Sequence, residues 1–268
     1  MTSYFSFPRL LQLIRKQGIE NGRLYLLSSL ALVGMLALVF AFWISVSAPD
    51  YHEETTYIIF LFGLFITGSI FASTTFNMLG NKDKGVYWLG LPASHLEKLL
   101  CSLFYTTIVF SLVYAASFFL VKAVAVMVVK ALVPGHPGYS WAPARPGDKN
   151  SITFVLPYFI YVFYAAQALY LLGSVYFSRF SFIITTIIGA ALIFCFVFYL
   201  IRLGKMFENA NWQFFSVTSY KRFGLPGSAD KMYSVPHLAE QIILFLVKFA
   251  WAPVFWIITW YRLKEKEI

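Results

Sequence analysis

The chain has 268 residues, of which 59% are hydrophobic and only 12% are charged, and its formal net charge is +9. Apolar residues occur in runs of twenty or more, which a soluble core does not require but a bilayer-spanning helix does. Lys and Arg lie mostly at the edges of these runs, so anchoring at the cytoplasmic face of a membrane explains the positive charge better than nucleic-acid binding. The composition predicts an all-α, polytopic membrane protein with a single domain, residues 1–268.

An amphipathic helix is predicted at residues 4–20, because Ser6 can cap it and Pro8 falls in its first turn. One helix face is apolar and carries Phe7, Leu10, Leu11 and Ile14. The other side is polar and carries Arg9, Gln12, Arg15 and Lys16. This pattern is typical of a helix in the cytoplasmic interface, with basic side chains near lipid phosphates. The alternative is an ordinary helix that leans on the rest of the protein.

Six apolar runs have the length that a hydrocarbon core demands of a helix. They are residues 24–47, 56–79, 99–129, 152–177, 182–203 and 241–261. The third is longer than a bilayer needs, so we expect it to tilt or to project beyond the outer surface. Pro253 should kink the sixth. Small residues four apart in the second span, Gly68 and Ala72, predict close helix packing, more plausibly within the chain than between two copies.

The charge pattern predicts the orientation, because Arg9, Arg15, Lys16 and Arg23 precede the first span whereas the loop after it has no Lys or Arg. Both termini are therefore expected in the cytoplasm, together with the polar break at residues 80–98. Residues 133–150 and residues 204–240 are expected on the outer side. The first of these segments is rich in Pro and Gly and is expected to be irregular. The latter segment is aromatic and predicts short helices at the outer interface, although its Lys and Arg residues run against the charge rule.

The break at residues 80–98, here called the elbow, lies between the second and third spans. Ser94 and Glu97 have the S-x-x-E spacing of a capping box, which predicts that a helix begins at about Ser94. Pro92 ends any earlier helix, and Gly85 and Gly90 make the backbone before it more flexible. A short, separately oriented helical piece is therefore expected. The segment either contacts a partner or is simply the way in which the third span begins.

The motifs of several enzyme classes are missing. Gly80 and Gly85 have the glycine spacing of a phosphate-binding loop, but Val86 and Tyr87 follow where Lys and Ser or Thr are required. The run that starts at His52 begins like a zinc-protease motif and lacks its second histidine. No catalytic residue and no metal site are predicted, and the cysteines are expected to pack.

Ionisable and amide side chains inside membrane spans are costly and are candidates for function. Lys122, Gln167 and Lys248 are the residues of this kind. Each lysine is expected near the outer end of its span, where it either lines a pathway or extends its ammonium to the interface. Gln167 lies nearer the middle of the membrane and either lines a path or bonds a neighbouring helix, the second being favoured.

The order of these parts resembles a type-2 ATP-binding-cassette (ABC) transporter permease. Residues 89–98, which read Leu-Gly-Leu-Pro-Ala-Ser-His-Leu-Glu-Lys, are similar to the L-P-x-S-x-x-E-K segment of such permeases, particularly those of Bacteroidetes type. The likeness in architecture covers nearly the whole chain, whereas the motif covers only these ten residues.

The resemblance implies a homodimer in the bacterial inner membrane that exports a substrate, with separate ATPase subunits docked beneath it. ATP and Mg²⁺ would be bound by those subunits, so no cofactor is expected in this chain. The partner-coupling residues implied are Leu91, Pro92, Ser94, His95, Leu96 and Glu97 of the elbow, with Arg9 and Arg15. The alternative is a membrane scaffold that anchors a cytoplasmic partner without transport. An ion-gradient carrier is less favoured, since the spans contain no Asp or Glu.

Overall fold

The structure is a computed structural model that describes residues 5–80, 82–144, 152–177, 179–206, 210–211, 219–222, 231–234 and 236–266. In chain order the helices are α1 (Phe7–Val46), α2 (Glu53–Thr74), α3 (Lys82–Leu89), α4 (His95–Leu103), α5 (Phe110–Leu132), α6 (Ile152–Tyr176), α7 (Ser181–Met206), α8 (His237–Phe249) and α9 (Trp251–Glu265). Across the described residues, five helices are long and apolar enough to cross a membrane, or six when the bent pair α8 and α9 counts as one span. The predicted helical, multi-pass architecture is confirmed.

Helix α1 is one continuous helix of 40 residues. At 1.5 Å per residue it is about 60 Å long, twice the thickness of a hydrocarbon core. The sequence predicts an interfacial helix at 4–20 and a separate span from residue 24, but the structure has no boundary between them, and residue 4 lies outside the described part. The junction contains Gly18 and Gly22 and no proline, so the helical hydrogen bonds continue through it.

The third span combines α4, a π-helical turn at Phe104–Val109 and α5, without interruption from His95 to Leu132. Its predicted excess length is confirmed. The π turn was not predicted. A π turn adds one residue to a turn of the helix, so the side chains that follow it are rotated around the helix axis. Such turns occur frequently at functional sites.

The bundle is held by α2 packed on α6, α6 packed on α9, and α1 packed along α4 and α5. Gly68 of α2 faces α6, because a Cβ atom there would lie 2.5 Å from the Phe163 ring. Ala72 is fully buried on the same face. The small residues of the second span therefore pack within the chain, as the sequence favours.

Two apolar clusters fill the interior. One joins Phe40 of α1, Tyr51, and Phe118 of α5, and the other joins Ala72, Leu99, Val175 and Leu263. The second cluster brings the start of α4 against the end of α9, while Ser6 contacts Glu97 at the start of α4. Both ends of the described chain therefore lie at one end of the bundle, and α1 runs parallel to α4 and α5.

The other end of the bundle carries short strands. Strand β1 (Asp50–His52) pairs in parallel with β2 (Ser140–Ala142), so the loop expected to be irregular contains one strand, while residues 145–151 lie outside the described part. Strands β3 (Ala210–Asn211), β4 (Ser219–Arg222) and β5 (Lys231–Ser234) form an antiparallel sheet. Short helices were predicted for residues 204–240. The described residues 210–211, 219–222 and 231–234 of that segment are strands and not helices. Residues 207–209, 212–218 and 223–230, which carry most of its aromatic side chains, lie outside the described part.

The last span is bent. Helices α8 and α9 meet at 47°, and Pro253 lies in the first turn of α9. Proline has no N–H to donate to the carbonyl of Phe249, and its ring crowds that carbonyl, so the helix breaks just before it. The predicted kink at Pro253 is confirmed.

Candidate functional site

The elbow contains the separate helical piece that the sequence predicts, namely α3. Helix α3 ends in a tight turn, in which the Gly90 backbone nitrogen donates a hydrogen bond of 2.8 Å to the Val86 carbonyl oxygen. Pro92 follows in the turn and is exposed. The side chain of Trp88 connects the two helices of the elbow, because the Lys98 ammonium lies 5.3 Å from the centre of its ring.

The capping box at the start of α4 is confirmed. The Glu97 backbone nitrogen donates to the Ser94 hydroxyl at 3.2 Å, and the Ser94 nitrogen donates to Glu97 Oε2 at 2.8 Å. Helix α4 begins at His95 with Ser94 as its N-cap. Such a cap stabilises a helix by about 1 kcal/mol, and it fixes the Glu97 carboxylate at the helix N-terminus, where negative charge is favourable.

The Glu97 carboxylate also binds the beginning of α1. Its Oε1 accepts a hydrogen bond of 2.6 Å from the Ser6 backbone nitrogen and lies 3.5 Å from an Arg9 guanidinium nitrogen. Glu97 is fully buried. A buried carboxylate is stable only when its oxygens are paired, and here backbone N–H groups and a cation supply that pairing. We call Ser6, Arg9, Ser94 and Glu97 the Glu97 joint.

Further contacts extend the joint along α1. The Tyr105 hydroxyl of the π turn donates to the Ile14 carbonyl oxygen at 2.7 Å, and the Cys101 thiol donates to Gln17 Oε1 at 3.1 Å. Gly18 permits this approach, because a Cβ atom there would lie 2.7 Å from the Tyr105 hydroxyl oxygen. The N-terminal half of α1 therefore rests on the third span, which is the alternative to an independent interfacial helix.

The elbow keeps an exposed apolar surface beside this joint. Val86 is 72% exposed, Tyr87 58% and Leu96 39%. The Tyr87 hydroxyl donates to Glu20 Oε1 of α1 at 3.2 Å, so α3 contacts α1 as well as α4. We call Val86, Tyr87, Pro92 and Leu96 the elbow surface.

The coupling residues implied by the resemblance thus divide into two groups. Glu97 is buried against its own chain, as is Lys98, which favours the interpretation that this part is the start of the third span. Leu91, Ser94 and His95 are half-buried, and Pro92 and Leu96 are exposed. On α1, Arg9 belongs to the joint, whereas Arg15 is exposed and forms no ion pair within the described part of the chain.

Gln167 bonds a neighbouring helix, as the sequence favours. Its Nε2 donates to the Thr106 carbonyl oxygen at 2.7 Å, and the side chain is buried. Thr106 lies in the π turn, where the regular pairing of backbone carbonyls is interrupted. Gln167 therefore satisfies a carbonyl of the third span from α6.

Lys122 forms an ion pair instead of extending alone to the interface. Its ammonium lies 2.8 Å from Glu53 Oε1 and 4.2 Å from the centre of the Tyr57 ring. Glu53 Oε2 also accepts from the Ala144 nitrogen at 3.2 Å. Lys248 is half-buried, with its ammonium 5.2 Å from the centre of the Tyr158 ring.

Sequence reasoning missed the long-range members of the site. Ser6 is 91 residues from Glu97, and Gln17 is 84 from Cys101. No local sequence pattern predicts contacts between residues so far apart in the chain. A buried helix start with Glu at its third position indicates only that the carboxylate needs hydrogen-bond donors from other segments. No group of three or more His, Cys, Asp or Glu side chains among the described residues is placed to hold a metal ion.

Comparison with protein-family models, curated proteins and solved structures finds no match to this chain.

The Glu97 carboxylate is shielded from water, and both of its oxygens already accept hydrogen bonds, so it is poorly placed for proton transfer. The Glu97 joint connects the start of α1 to the start of α4. Helix α3 contacts the same two helices separately, through Tyr87 and Glu20 and through Trp88 and Lys98.

Proposed function

We propose that this chain is the membrane-spanning permease subunit of an ABC transporter, which couples ATP hydrolysis by a separate ATPase subunit to export of a substrate. In this proposal the elbow end of the bundle faces the cytoplasm of a bacterium, with both termini, and the chain pairs with a second copy in the inner membrane. ATP and Mg²⁺ are bound by the ATPase subunit.

One observation carries the proposal: α3 exposes an apolar surface and at the same time contacts the two longest helical runs, which are α1 and the third span that begins with α4. Tyr87 contacts α1 through Glu20, and Trp88 contacts α4 through Lys98. Exposed apolar side chains rimmed by polar groups are typical of a protein-docking surface. A partner that moved the elbow surface would therefore move both long helices.

The Glu97 joint would transmit this movement. Because Glu97 holds the first turn of α1 and caps α4, the two helices shift together when either is displaced. Packed helices transmit small displacements over long distances because protein interiors are close-packed and not freely compressible. The movement would reach the far end of α5, about 57 Å away for a 38-residue helical run.

The direct test is purification of the full-length chain from its native membranes in mild detergent. We expect an ATPase subunit with a phosphate-binding loop to co-purify, and Leu96→Glu to abolish its capture without loss of the folded chain. Leu238→Glu is a matched control, because Leu238 is 75% exposed and lies on α8. Absence of an ATPase from the wild-type complex would contradict the proposal.

A scaffold without transport is the second candidate, and one observation favours it. Gln167 and Lys122, the intramembrane polar residues best placed to line a path, each have a partner inside the chain. In reconstituted complexes a scaffold leaves the ATPase rate of its bound partner unchanged when Glu97 is replaced by Gln, whereas a coupled permease changes it.

A further inference from the structure

The segment that follows the third span, residues 133–144, returns toward the start of α2 and is here called the strap. Its strand β2 pairs in parallel with β1, and the Ser140 backbone nitrogen donates a hydrogen bond of 3.0 Å to the Pro49 carbonyl oxygen. The Ser140 hydroxyl also donates to Asp50 Oδ1 at 2.8 Å. The strap is therefore fixed to the connection between α1 and α2, at the end of the bundle opposite the elbow.

The strap covers one end of the apolar cluster that contains Tyr51. The centre of the Tyr139 ring lies 6.1 Å from that of Tyr51, which is only 2% exposed, and the Tyr51 ring lies 5.9 Å from the Trp43 ring. Trp141 of the strap packs against the same cluster. The buried Trp43 Nε1 has no hydrogen-bond partner in the described part of the chain. A buried donor without an acceptor is costly, so the closed strap leaves an unfavourable interaction that water could relieve.

One carboxylate joins the strap to the third span. Glu53 Oε2 accepts a hydrogen bond of 3.2 Å from the Ala144 nitrogen of the strap, and Glu53 Oε1 lies 2.8 Å from the Lys122 ammonium of α5. The Glu53 side chain is only 23% exposed. A partly buried carboxylate is stable where it is paired with a cation, so without Lys122 we expect Glu53 to turn toward water and to lose the Ala144 nitrogen.

The Lys122 ammonium contacts α2 at two points, the Glu53 carboxylate and the Tyr57 ring, whose centre lies 4.2 Å away. Because Lys122 belongs to the third span, these contacts persist only while α5 and α2 keep their relative position. Lys130, also on α5, is exposed and attracts Glu53 only from a longer range. A shift of α5 against α2 would therefore leave the Glu53 carboxylate without a cation in contact.

We propose that the strap is a lid over this end of the bundle and that the ion pair of Glu53 and Lys122 is its latch, so that a shift of α5 against α2 releases the strap. Release would open the apolar interior beneath Tyr139 to that side of the membrane. The inference goes beyond the proposed function, because it concerns the end of the bundle opposite the elbow and needs no ATPase partner.

The experiment is hydrogen–deuterium exchange of the full-length chain in detergent, measured by mass spectrometry. Lys122→Met should speed exchange of the amides of β2 at least about tenfold, because loss of a partly buried ion partner favours local opening of the strap. Amides of α6 near Leu171 should change much less, because Leu171 is buried in the other apolar cluster. Lys130→Met is the matched control, since it removes the same group from an exposed position of α5 and should leave exchange in β2 unchanged.

A disulfide provides a second, independent variant. Asp50 and Ser140 are paired residues of β1 and β2, so Asp50→Cys with Ser140→Cys can be cross-linked by oxidation in a Cys195→Ser background. Combined with Lys122→Met, the cross-link should restore slow exchange in β2, and reduction should abolish that recovery.

Three results would overturn the latch: unchanged exchange in β2 with Lys122→Met, an equal increase with Lys130→Met, or no recovery on cross-linking. An equal increase in β2 and in α6 with Lys122→Met would show that the pair supports the whole fold and not the strap, and would also overturn it. The absence of an ATPase from the purified complex would contradict the proposed function alone.

Discussion

The Glu97 carboxylate lies 2.6 Å from the backbone nitrogen of Ser6, a residue 91 positions earlier in the chain. The same carboxylate caps its own helix through Ser94. One buried side chain therefore sets both where the third span begins and where the first helix begins. This double role makes Glu97 the residue on which the geometry of the elbow depends most.

Replacing Glu97 by Ala should destabilise the folded chain. Two buried backbone N–H groups, those of Ser6 and Ser94, lose their acceptor, and we expect a loss of about 2–3 kcal/mol. The measurement is the apparent melting temperature of detergent-purified protein. Glu265→Ala is the matched control, because that glutamate forms only an exposed pair with Arg262 and should change stability by less than about 0.5 kcal/mol. Equal melting temperatures for the two variants would refute the role of the joint.

Gln167→Leu should remove the side-chain donor that satisfies the π turn. The Thr106 carbonyl would remain buried without that donor, and interhelical bonds of this kind contribute about 0.6–2 kcal/mol in membrane proteins. We expect a lower melting temperature than for wild type. Gln12→Leu, at an exposed position of α1, removes the same group and should have little effect; if both variants behave alike, the bond to Thr106 contributes nothing measurable.

The Lys122 and Glu53 pair can be tested by a double-mutant cycle. Lys122→Met leaves the Glu53 carboxylate without its ammonium partner and should cost about 2–3 kcal/mol, less than a fully buried pair because Glu53 remains partly exposed. Combining it with Glu53→Gln removes the uncompensated charge and should recover part of that loss. The prediction fails if the double variant is no more stable than Lys122→Met.

The orientation is testable by cysteine labelling in intact cells. In a Cys195→Ser background, His52→Cys should react with a membrane-impermeant maleimide, whereas Lys264→Cys should react only after permeabilisation. Cys101 can be retained because it is buried. The opposite pattern would reverse the predicted topology, and equal labelling of the two positions in intact cells would contradict their location at opposite ends of the bundle.

The features that sequence reasoning predicted are those that depend on neighbouring residues. Ser94 and Glu97 are three residues apart, so their capping box can be read from the chain, and Pro253 acts on its own helix. Apolar runs long enough for a bilayer predict the spans for the same reason. Each of these signals is contained within a single turn or a single helix.

The missed features depend on contacts between distant segments. The π turn at Phe104–Val109 has no residue that requires it locally, and its support comes from Gln167 and Tyr105 after the helices pack. The parallel pairing of Asp50–His52 with Ser140–Ala142 joins segments from two separate loops. The absence of a boundary in α1 has the same cause, because contacts such as that between Gln17 and Cys101 support the helix where its own sequence is weakest.

The separation of Ser6 from Glu97 also has a consequence for biogenesis. The first turn of α1 leaves the ribosome before its acceptor is made, and 91 residues at 5–20 residues per second correspond to roughly 5–18 s. During that interval the Ser6 N–H and the Arg9 guanidinium do not yet have the Glu97 carboxylate that they contact in the folded chain. The contacts of the Glu97 joint can form only after α4 has been synthesised. Their formation therefore follows synthesis of the first two spans and of the elbow.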